Sequence, residues 1–421
     1  MHTNQIQMES KVTILSYYSA EELTGIGKYN GELISWLISN GHKVNSFSNT
    51  PFYPLWRKYD GFSNKLYIKG KEEGIIDIRT WVYIPAAPGA IKKIISEFTF
   101  FVSASLALLL NIKLVRNSRL FIVILPPFFL PISFVLFKWI LNSKLLVHVQ
   151  DLQVDAAKEL KLLPTWLCYF LEKFERGLLN QTDYISTISE GMKQKILAKG
   201  VKQDVLLIPN WSNLKEIKPI PNVHWLHEYL GIDLDQKLVV YSGNIGEKQG
   251  LEIILEVAKM LESDHKLKFV ILGEGLYKEK LITKSRQLNI RNVIFGTLVP
   301  KDKINLMLNS SFIQLVIQKP EGADSFFPSK LTGILAAGCI SIVTAQEGTT
   351  LYAEMKPSLA SYVVEPVNSQ MLFNSIVKIK SDQHLQLKLK RNARKWAMDN
   401  LSINHCLEPL NEILSTCSQP S

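Results

Sequence analysis

The chain has 421 residues, enough for two domains of ordinary size, and 47% of them are apolar, so it can fill substantial cores. Its formal net charge of +10 favours an anionic partner such as a phosphorylated substrate or an acidic membrane surface, with a basic solvated surface as the alternative. No zinc-finger spacing, RNA-binding aromatic motif or basic heptad helix occurs, which argues against nucleic acid as a partner. The four cysteines show no CxxC spacing, a pattern typical of reduced thiols in a cytoplasmic protein.

Strand-like apolar runs alternate with helical patterns along the first half of the chain. The run at 11–18 predicts a strand, and the apolar spacing after Gly27 predicts a helix that ends near Gly41. This alternation predicts a parallel sheet with helices on both faces. Further strands are predicted at 42–48, 74–82, 120–125, 144–150, 183–189 and 204–210.

Two apolar segments raise the question of a membrane span. Residues 98–112 are too few to cross a bilayer, whereas residues 120–141 are long enough but are interrupted by three prolines and Lys138. We therefore expect 120–125 to form a buried strand, followed by a proline-rich turn and a helix that ends near Asn142. The many large aromatic side chains of this helix can dip into a bilayer surface.

The β-α pattern restarts in the second half of the chain. We predict an N-terminal domain at 1–212, a polar linker at 213–236, a second domain at 237–385 and a C-terminal helical segment at 386–421. In open parallel sheets, ligands bind at the carboxyl ends of the strands, and the two domains can present those ends to one cleft. In the second domain, strands are predicted at 237–246, 267–275, 291–298, 312–318 and 339–345, and helices at 250–262, 276–288, 302–309 and 328–337.

The stretch LTGIGKYNG contains Gly25, Gly27 and Gly31 and looks like a dinucleotide-binding loop. A redox cofactor is disfavoured because six residues, SAEELT, separate the first strand from the first glycine, and because the second strand ends without an acidic residue. The glycines can instead bring backbone amides close to an anion at a helix N-terminus. A purely structural turn is the alternative.

The motif YSGNIGEKQGLE follows the first strand of the second domain. Ser242, Gly243 and Gly246 form a small flexible turn, and Lys248 is predicted in the first turn of the next helix. The helix dipole disfavours a cation at that place unless the cation pairs with a ligand phosphate. We therefore interpret Lys248 as a phosphate-binding residue.

Two further motifs of the second domain lie at predicted strand or helix ends. Glu274 follows a strand, although it can also be an ordinary loop carboxylate. Asp324, Ser325, Ser329 and Lys330 lie where a helix begins, so Ser329 and the amides there can bind phosphate while Lys330 adds charge. An ordinary helix cap is the alternative for this segment.

Together these pieces resemble the family-4-type retaining glycosyltransferases of the GT-B fold. The closest resemblance is to the colanic-acid type of exopolysaccharide enzymes, often described as fucosyltransferases. Each motif is weak alone, but seven in the right order, spread over most of the chain, make a specific resemblance. The motifs are ELTGIGKYNGE, PFYP, HVQDLQVDA, STIS, PNWS, YSGNIGEKQGLE and PSKLTGILAAG.

This resemblance implies an α/β, GT-B architecture of two doubly wound Rossmann-like domains that face a cleft. It also implies transfer of a sugar from a nucleotide diphosphate to a carbohydrate, with retention of the anomeric configuration. By matched position, Lys248 contacts the diphosphate, and Gly25 and Gly27 approach the donor phosphate from the first domain. Gly273 and Glu274 contact the base region, and the segment 324–330 contacts the sugar and phosphates.

Several positions depart from the pattern of that family. Asn244 replaces an arginine that usually precedes the lysine, so Lys330 is expected to supply the missing positive charge. Gln150 replaces a histidine, while Asp151 is kept; Asp151 and His148 are candidates for orienting hydroxyl groups, with a satisfied core histidine as the alternative for His148. The family's paired glutamates correspond to Ser325 and Gly333, which leaves the base and the sugar open.

The resemblance also sets the expected partners. The donor is a nucleotide sugar, with a GDP-sugar such as GDP-fucose favoured over a UDP-sugar, and the acceptor is a lipid-linked saccharide at the inner face of the cytoplasmic membrane. No separate cofactor and no metal site are predicted, because lysines and amides can stabilise the leaving diphosphate. A sugar-nucleotide epimerase and a non-catalytic nucleotide-sugar-binding subunit are the alternatives.

Overall fold

The computed structural model describes residues 10–22, 25–138, 140–159, 162–320 and 328–417. The chain forms two compact units. Unit 1 runs to Ile208 and is completed by the chain from Leu407 onward, and unit 2 is Pro209–Cys406. The change of unit therefore lies close to the predicted end of the first domain at residue 212.

The predicted linker at 213–236 is part of unit 2. A short helix forms at Trp225–Leu230, and Leu226 and Ile232 are buried in the core of that unit. The C-terminal segment predicted at 386–421 also differs, because it is shared between the units. The linker belongs to unit 2 because its apolar side chains are buried in the core of that unit.

Unit 1 is built on one large sheet. Its strands are β1 (Lys11–Ser16), β2 (Lys43–Asn49), β3 (Tyr67–Glu72), β4 (Ile75–Thr80), β5 (Leu120–Leu125), β6 (Lys144–Val149), β7 (Tyr184–Thr187) and β8 (Val205–Leu207). Within the described ranges the sheet has eight strands in the order β3-β4-β2-β1-β5-β6-β7-β8. Only β3 runs antiparallel to its neighbour. The sequence did not predict β3, which is a polar edge strand without apolar alternation.

The helices of unit 1 cover this sheet. They are α1 (Ile26–Ser39), α2 (Ala90–Leu110), α3 (Ile112–Val115), α4 (Ile132–Val135), α5 (Gln153–Glu159), α6 (Thr165–Leu179) and α7 (Glu190–Ala198). The segment from 120 onward begins with the predicted buried strand. The helix after its proline turn has only four residues, however, and does not continue to Asn142.

Helix α2 changes the interpretation of the apolar segment at 98–112. The helix begins eight residues earlier than this segment and has 21 residues. Of the helices in the described ranges, α2 alone is long and apolar enough, by length and composition, to cross a membrane, and 33% of its most apolar window is buried within the protein. Hydrogen bonds tie it to unit 1: Ser96 pairs with Tyr17, and Ser103 donates to the carbonyl of Trp81.

Unit 2 is a doubly wound domain with a fully parallel sheet. Its strands are β9 (Lys237–Ser242), β10 (Leu267–Leu272), β11 (Val293–Gly296), β12 (Ile313–Val316), β13 (Ser341–Thr344) and β14 (Tyr362–Val364). The sheet of the described residues has six strands in the order β11-β10-β9-β12-β13-β14. The direction of winding reverses between β9 and β12, which is the position where ligands bind in such sheets.

Helices cover both faces of the unit 2 sheet, as the alternation predicts. They are α8 (Trp225–Leu230), α9 (Glu252–Met260), α10 (Lys278–Gln287), α11 (Ile304–Asn309), α12 (Ser329–Ala336), α13 (Thr350–Ser358), α14 (Ser369–Ser381), α15 (Gln383–Asn400) and α16 (Ile403–Cys406), and α17 (Glu408–Thr416) follows in unit 1.

The loops after β9 and β10 pack backbone against backbone. Gly273 has φ +146°, and a Cβ at this residue would lie 1.8 Å from the carbonyl oxygen of Gly243. Gly275 has φ +157°, and a Cβ there would lie 2.2 Å from the carbonyl oxygen of Ile245. Only glycine adopts such φ values easily and leaves room for this approach.

We expect Gly273→Ala to lower the free energy of unfolding of the protein by about 3 kcal/mol or more, because the methyl group adds a clash to an unfavourable φ. Urea denaturation measures this change. The matched control is Gly333→Ala in α12, where a Cβ would make only an ordinary contact, 3.7 Å from a methyl group of Leu308. That substitution should stay within about 1 kcal/mol of the wild type. An equal effect of the two substitutions would contradict the packing argument.

Candidate active site

Hydrogen bonds join the two glycine-containing loops of unit 2. The Gly243 amide donates to Leu272 O at 2.9 Å, and the Ile245 amide donates to Glu274 O at 2.9 Å. The Tyr277 amide donates to Ile245 O at 3.1 Å. The structure therefore brings together the predicted residues of both loops at the carboxyl edge of the sheet, beside the point where its winding reverses.

Lys330, the second residue of α12, lies against the first of these loops. A Cβ on Gly243 would lie 3.0 Å from Lys330 Nζ, so the absence of a side chain at Gly243 makes room for the ammonium. The same nitrogen lies 3.6 Å from the centroid of the Tyr241 ring. Nζ is buried and has no hydrogen-bond partner within the part of the chain that the structure describes. The sequence predicts Lys330 near the phosphates, but the room that Gly243 leaves for its ammonium group depends on tertiary packing.

Burial lowers the pKa of Lys330 from 10.5 to about 7. No charged residue contributes to this change; desolvation alone causes it. The Tyr241 ring offers the cation its negative face, which compensates in part. An anion placed beside Nζ would favour the charged form, so the arrangement is suited to a negatively charged ligand.

Lys248 lies in a short 3₁₀ turn, Glu247–Gln249, and not in the first turn of α9 as predicted. Gly250 follows with φ +65° and separates this turn from the helix. The side chain of Gln249 folds back and accepts a hydrogen bond from the Gly246 amide at 3.1 Å. The lysine thus lies in a separate turn that joins β9 to α9, while its side chain lies outside the described part of the structure.

Glu274 follows β10, as predicted, and its carboxylate pairs with Lys278 at 2.9 Å. Lys278 also donates to the carbonyl oxygens of Gly273 and Gly296, both at 2.9 Å, so it links the ends of β10 and β11. Lys278 was not predicted from the sequence. Its position four residues after Glu274, a spacing that favours an ion pair, was the available signal.

The remaining predicted residues of unit 2 fall at the start of α12 and in the first loop. Ser329 is the first residue of α12, and Pro328 is its N-cap instead of its first residue. Asn244 is exposed, and its carbonyl oxygen accepts a hydrogen bond from the Tyr241 hydroxyl at 2.7 Å. Asp324 and Ser325 lie outside the described residues.

In unit 1, His148 is a buried residue near the end of β6. Its Nδ1 pairs with Ser186 Oγ at 2.9 Å, and burial lowers its pKa to about 4. The imidazole is therefore neutral at physiological pH. These contacts favour the alternative of a satisfied core histidine.

Asp151 belongs to a group of carboxyl and tyrosine side chains that the sequence analysis did not recognise. Burial raises the pKa of Glu97 to about 7, and the charge of Asp151 contributes to the rise. A hydrogen bond from Gln153 Nε2 to Glu97 Oε1, at 2.8 Å, acts in the opposite direction and lowers this pKa. Burial also raises the pKa of Tyr53 to about 12, with contributions from Glu22 and Asp151. These residues follow different strands of one sheet, so spacing along the chain carried no signal for the group.

The glycines of the unit 1 loop have distinct structural reasons. Gly25 is the N-cap of α1 with φ +66°. A Cβ on Gly27 would lie 2.4 Å from Ser19 O, and one on Gly31 would lie 2.7 Å from Ala20 O. The glycines therefore let α1 approach the backbone of the preceding turn, which is a structural reason for this motif.

No group of three or more His, Cys, Asp and Glu side chains in the described ranges is arranged to hold a metal ion. The groups available to a ligand are amides, lysines, carboxyls and aromatic rings. Such groups can bind phosphates and sugars directly.

Comparison with known proteins connects this architecture to sugar transfer. Residues 226–396 match the family model "Glycosyl transferases group 1". A protein of Escherichia coli (strain K12), described as "Putative colanic acid biosynthesis glycosyl transferase WcaI", is 34% identical over 376 residues, which cover 87% of this chain and 91% of that protein. The "Uncharacterized glycosyltransferase MJ1607" of Methanocaldococcus jannaschii is 22% identical over 256 residues, 56% of this chain and 64% of that protein.

Solved structures support the fold over the whole chain. A sucrose-phosphate synthase from Thermosynechococcus elongatus superposes with a TM-score of 0.78 at 15% identity and covers 97% of this chain and 99% of its own. HepE of Anabaena, in complex with UDP and glucose, has a TM-score of 0.69 at 13% identity and covers 97% of this chain and 100% of its own. WaaG, a glycosyltransferase of lipopolysaccharide biosynthesis, has a TM-score of 0.67 at 15% identity and covers 96% and 99%.

The two α/β units have the GT-B fold, and the predicted fold class is confirmed. The chain belongs to the glycosyl transferases group 1 and is similar to WcaI over most of its length. The predicted enzyme class is confirmed by the same findings.

We expect Lys330→Met to raise the melting temperature of the ligand-free protein at pH 6, where the buried ammonium is charged. The folded pKa, about 7, is below the ordinary value of 10.5, so the unfolded chain binds more protons between these pH values. Wild-type stability therefore rises with pH through this window, and the advantage of methionine shrinks toward pH 10.

At pH 6 the expected gain is on the order of 1–2 kcal/mol. Differential scanning fluorimetry from pH 6 to pH 10 measures it. The matched control is Lys303→Met, since Lys303 is partly exposed and pairs with Asp302 on the surface. A gain that does not depend on pH would contradict the burial of a charged ammonium at Lys330.

Proposed function

We propose that this glycosyltransferase moves a sugar, with retention of configuration, from a nucleotide diphosphate to a lipid-linked saccharide in exopolysaccharide biosynthesis. The similarity to the relative named for colanic acid biosynthesis supports the pathway class. HepE of Anabaena has been solved with UDP and glucose, which supports a nucleotide-sugar donor for the fold. GDP-fucose is the first donor to test, with a UDP-sugar as the second.

The observation that carries the proposal is the buried ammonium of Lys330 beside Gly243. When the bond between sugar and diphosphate breaks, negative charge accumulates on the leaving phosphate. Fixed positive groups in a place shielded from water stabilise that charge strongly. Lys330, with Lys248 on the neighbouring turn and the amides of the first loop, supplies such groups, and the reaction then needs no metal ion.

Other groups of unit 2 bind the rest of the donor in this proposal. Gly273 and Glu274 contact the base and ribose, with Lys278 holding the Glu274 carboxylate in place. Ser329, Asp324 and Ser325 contact the sugar and the phosphates at the start of α12.

In unit 1, the acceptor hydroxyl is oriented by Asp151 and the carboxyl groups near it. The aromatic rings of Tyr18, Tyr53 and Trp56 lie close together, with ring centroids 5.6 Å and 6.4 Å apart in that order. Aromatic faces and carboxylates together suit a saccharide, because sugar C–H groups pack on the rings and hydroxyl groups donate to the carboxylates. The Gly25 and Gly27 amides bind a phosphate.

Purified protein incubated with GDP-fucose or a UDP-sugar and a short-chain lipid-linked saccharide should lengthen the acceptor by one sugar. Mass spectrometry detects the product, and proton NMR reports whether the anomeric configuration is retained. Lys248→Ala should lower turnover by about tenfold or more, because a positive charge that stabilises the leaving diphosphate is removed. An epimerase would convert the donor without lengthening the acceptor, and a binding protein would change neither.

The control for this experiment is Lys303→Ala, which removes a surface lysine of the same unit that pairs with Asp302. Its turnover should equal that of the wild type. Equal turnover of the Lys248 and Lys303 variants would remove the proposed role of Lys248.

We also propose that unit 1 rests on the inner face of the cytoplasmic membrane. Helices α2 and α6 each expose an apolar face, and the rings of Phe101, Phe129, Phe128 and Phe174 connect them in sequence at 5.7, 5.4 and 6.3 Å. Lysines on both helices can contact anionic lipid headgroups. The exposed apolar side chains are Ile91, Ile94, Ile95, Phe98, Val102, Leu106, Leu109 and Leu110 on α2, and Trp166, Tyr169, Phe170 and Phe174 on α6.

Replacing both Trp166 and Phe170 with Glu should weaken binding to vesicles of phosphatidylglycerol and phosphatidylcholine by about tenfold or more, because apolar area and attraction to anionic lipid are lost together. Vesicle flotation measures the bound fraction. The folded core should tolerate both changes, since the two side chains are 71% and 60% exposed. The control replaces Leu276 and Leu387 of unit 2, which are 73% and 68% exposed. Equal losses in the two double variants would contradict the assignment of this surface.

A further inference from the structure

Glu22 is a buried carboxyl group whose two oxygens differ in their hydrogen bonds to the described residues. It lies in the turn between β1 and α1, and its residue surface is only 2% exposed. Oε1 accepts hydrogen bonds from the Phe52 amide at 3.3 Å and from the Tyr53 amide at 3.1 Å. Oε2 is buried and has no hydrogen-bond partner among the residues that the structure describes. A buried polar atom without a partner is costly unless a ligand provides one.

The free oxygen faces the first turn of α1. A Cβ on Gly27 would lie 2.6 Å from the Glu22 Cβ and 3.0 Å from Oε2, so the absence of a side chain at Gly27 lets the carboxyl group lie against the helix. In the described part of the chain, no side chain caps this 14-residue helix at Gly25. The first amides of a helix and its dipole attract anions. Glu22 Oε2 and the N-terminus of α1 therefore face the same place.

An ionised carboxylate would occupy this place with a negative charge of its own and repel an anion. Burial, however, raises the pKa of Glu22 to about 8, against the two amide hydrogen bonds that lower it. At neutral pH the group is therefore mostly a neutral acid. Because Oε1 already accepts two hydrogen bonds, Oε2 is the oxygen that carries the proton, and it becomes a donor.

The neighbouring titratable groups do not take over the role of Glu22 Oε2 as a hydrogen-bond donor. Tyr17, Tyr18 and Tyr53 all have raised pKa values and are neutral at physiological pH. Glu21 adds a small upward contribution to the Glu22 pKa, and its own carboxylate lies 3.8 Å from Arg79. Lys28, on the first turn of α1, is directed toward Glu32 at 3.9 Å.

We propose that Glu22 binds phosphate: its protonated Oε2 donates a hydrogen bond to a phosphate oxygen held at the N-terminus of α1. This inference rests on the proposed function, which supplies two sources of the same chemistry, the diphosphate of the sugar donor and that of the lipid-linked acceptor. Loss of the Glu22 proton removes a donor and adds a negative charge beside the phosphate. Binding is therefore coupled to one proton, and affinity falls as pH rises above the pKa of the free protein.

The test compares wild-type protein with Glu22→Gln, whose amide keeps the carbonyl oxygen for the Phe52 and Tyr53 amides and donates permanently from the other position. Isothermal titration calorimetry of the full chain between pH 6.5 and pH 9.5 uses GDP as the donor probe and geranyl diphosphate as the acceptor probe. Titration of Lys330 and of the ligands affects both proteins alike, so the ratio of their dissociation constants isolates Glu22.

The ratio of wild-type to Glu22→Gln dissociation constants should rise by about fivefold between pH 8 and pH 9, since one proton with a pKa of about 8 is coupled to binding. The probe that shows this rise identifies the source of the phosphate. The matched control, Glu21→Gln, should follow the wild type over the whole range. A ratio that is constant with pH for both probes would overturn the role of Glu22 while leaving the transferase intact. A lack of binding by either protein to either probe would overturn the proposed function as well.

Infrared spectroscopy of the wild-type protein provides a measurement that does not depend on the folding of a variant. In the carbonyl band of protonated carboxylic acids, Glu97 loses its contribution as pH rises through about 7, and the component that belongs to Glu22 should lose intensity as pH rises through about 8. It should shift when the binding probe is added at pH 7, because the acid then donates a hydrogen bond. A band that does not respond to the ligand would contradict the proposal.

Discussion

The close packing of two glycine loops is the constraint on which the candidate site of unit 2 depends. The backbone of Gly273 approaches that of Gly243 so closely that a side chain at Gly273 would not fit. This approach fixes the ends of β9 and β10 next to each other, beside the point where the sheet changes its direction of winding. The same absence of a side chain at Gly243 leaves room for the Lys330 ammonium. Two glycines of neighbouring loops thus permit the close approach of the loops and the position of the charge.

The two units use burial in a similar way. In unit 2, desolvation brings the pKa of Lys330 down to about 7, and in unit 1 it brings the pKa values of Glu22 and Glu97 up to about 8 and about 7. Each group therefore has a pKa close to neutral pH, and each lies near the carboxyl ends of the strands of its sheet. Burying such groups reduces the stability of the ligand-free protein, and perturbed ionisable groups of this kind cluster at functional sites. A charged substrate would change these protonation equilibria on binding.

Sequence patterns predicted the parts of the chain where local physics decides the structure. The buried strands of both units and the alternation with helices follow from apolar periodicity, and the positions of Gly243 and Glu274 follow from the strand ends. Predictions from the sequence were wrong at a stretch that tertiary burial places and at a turn that a glycine ends. The polar stretch at 213–236 joins the core of unit 2 through Leu226 and Ile232. Gly250 separates the 3₁₀ turn from α9, so Lys248 lies before this helix and not in it.

The sequence by itself determined the two α/β units and the loops that carry the candidate residues, because apolar spacing and glycine positions are local properties, and the GT-B class followed from the resemblance of its motifs to a known family. Only the tertiary structure decided which of these residues meet. Lys330 comes from a distant part of the chain to lie beside Tyr241 and Gly243, and the amides of Phe52 and Tyr53 bind Oε1 of Glu22. Burial and pKa depend on neighbours that are brought together by folding, and the order of residues along the chain does not specify them.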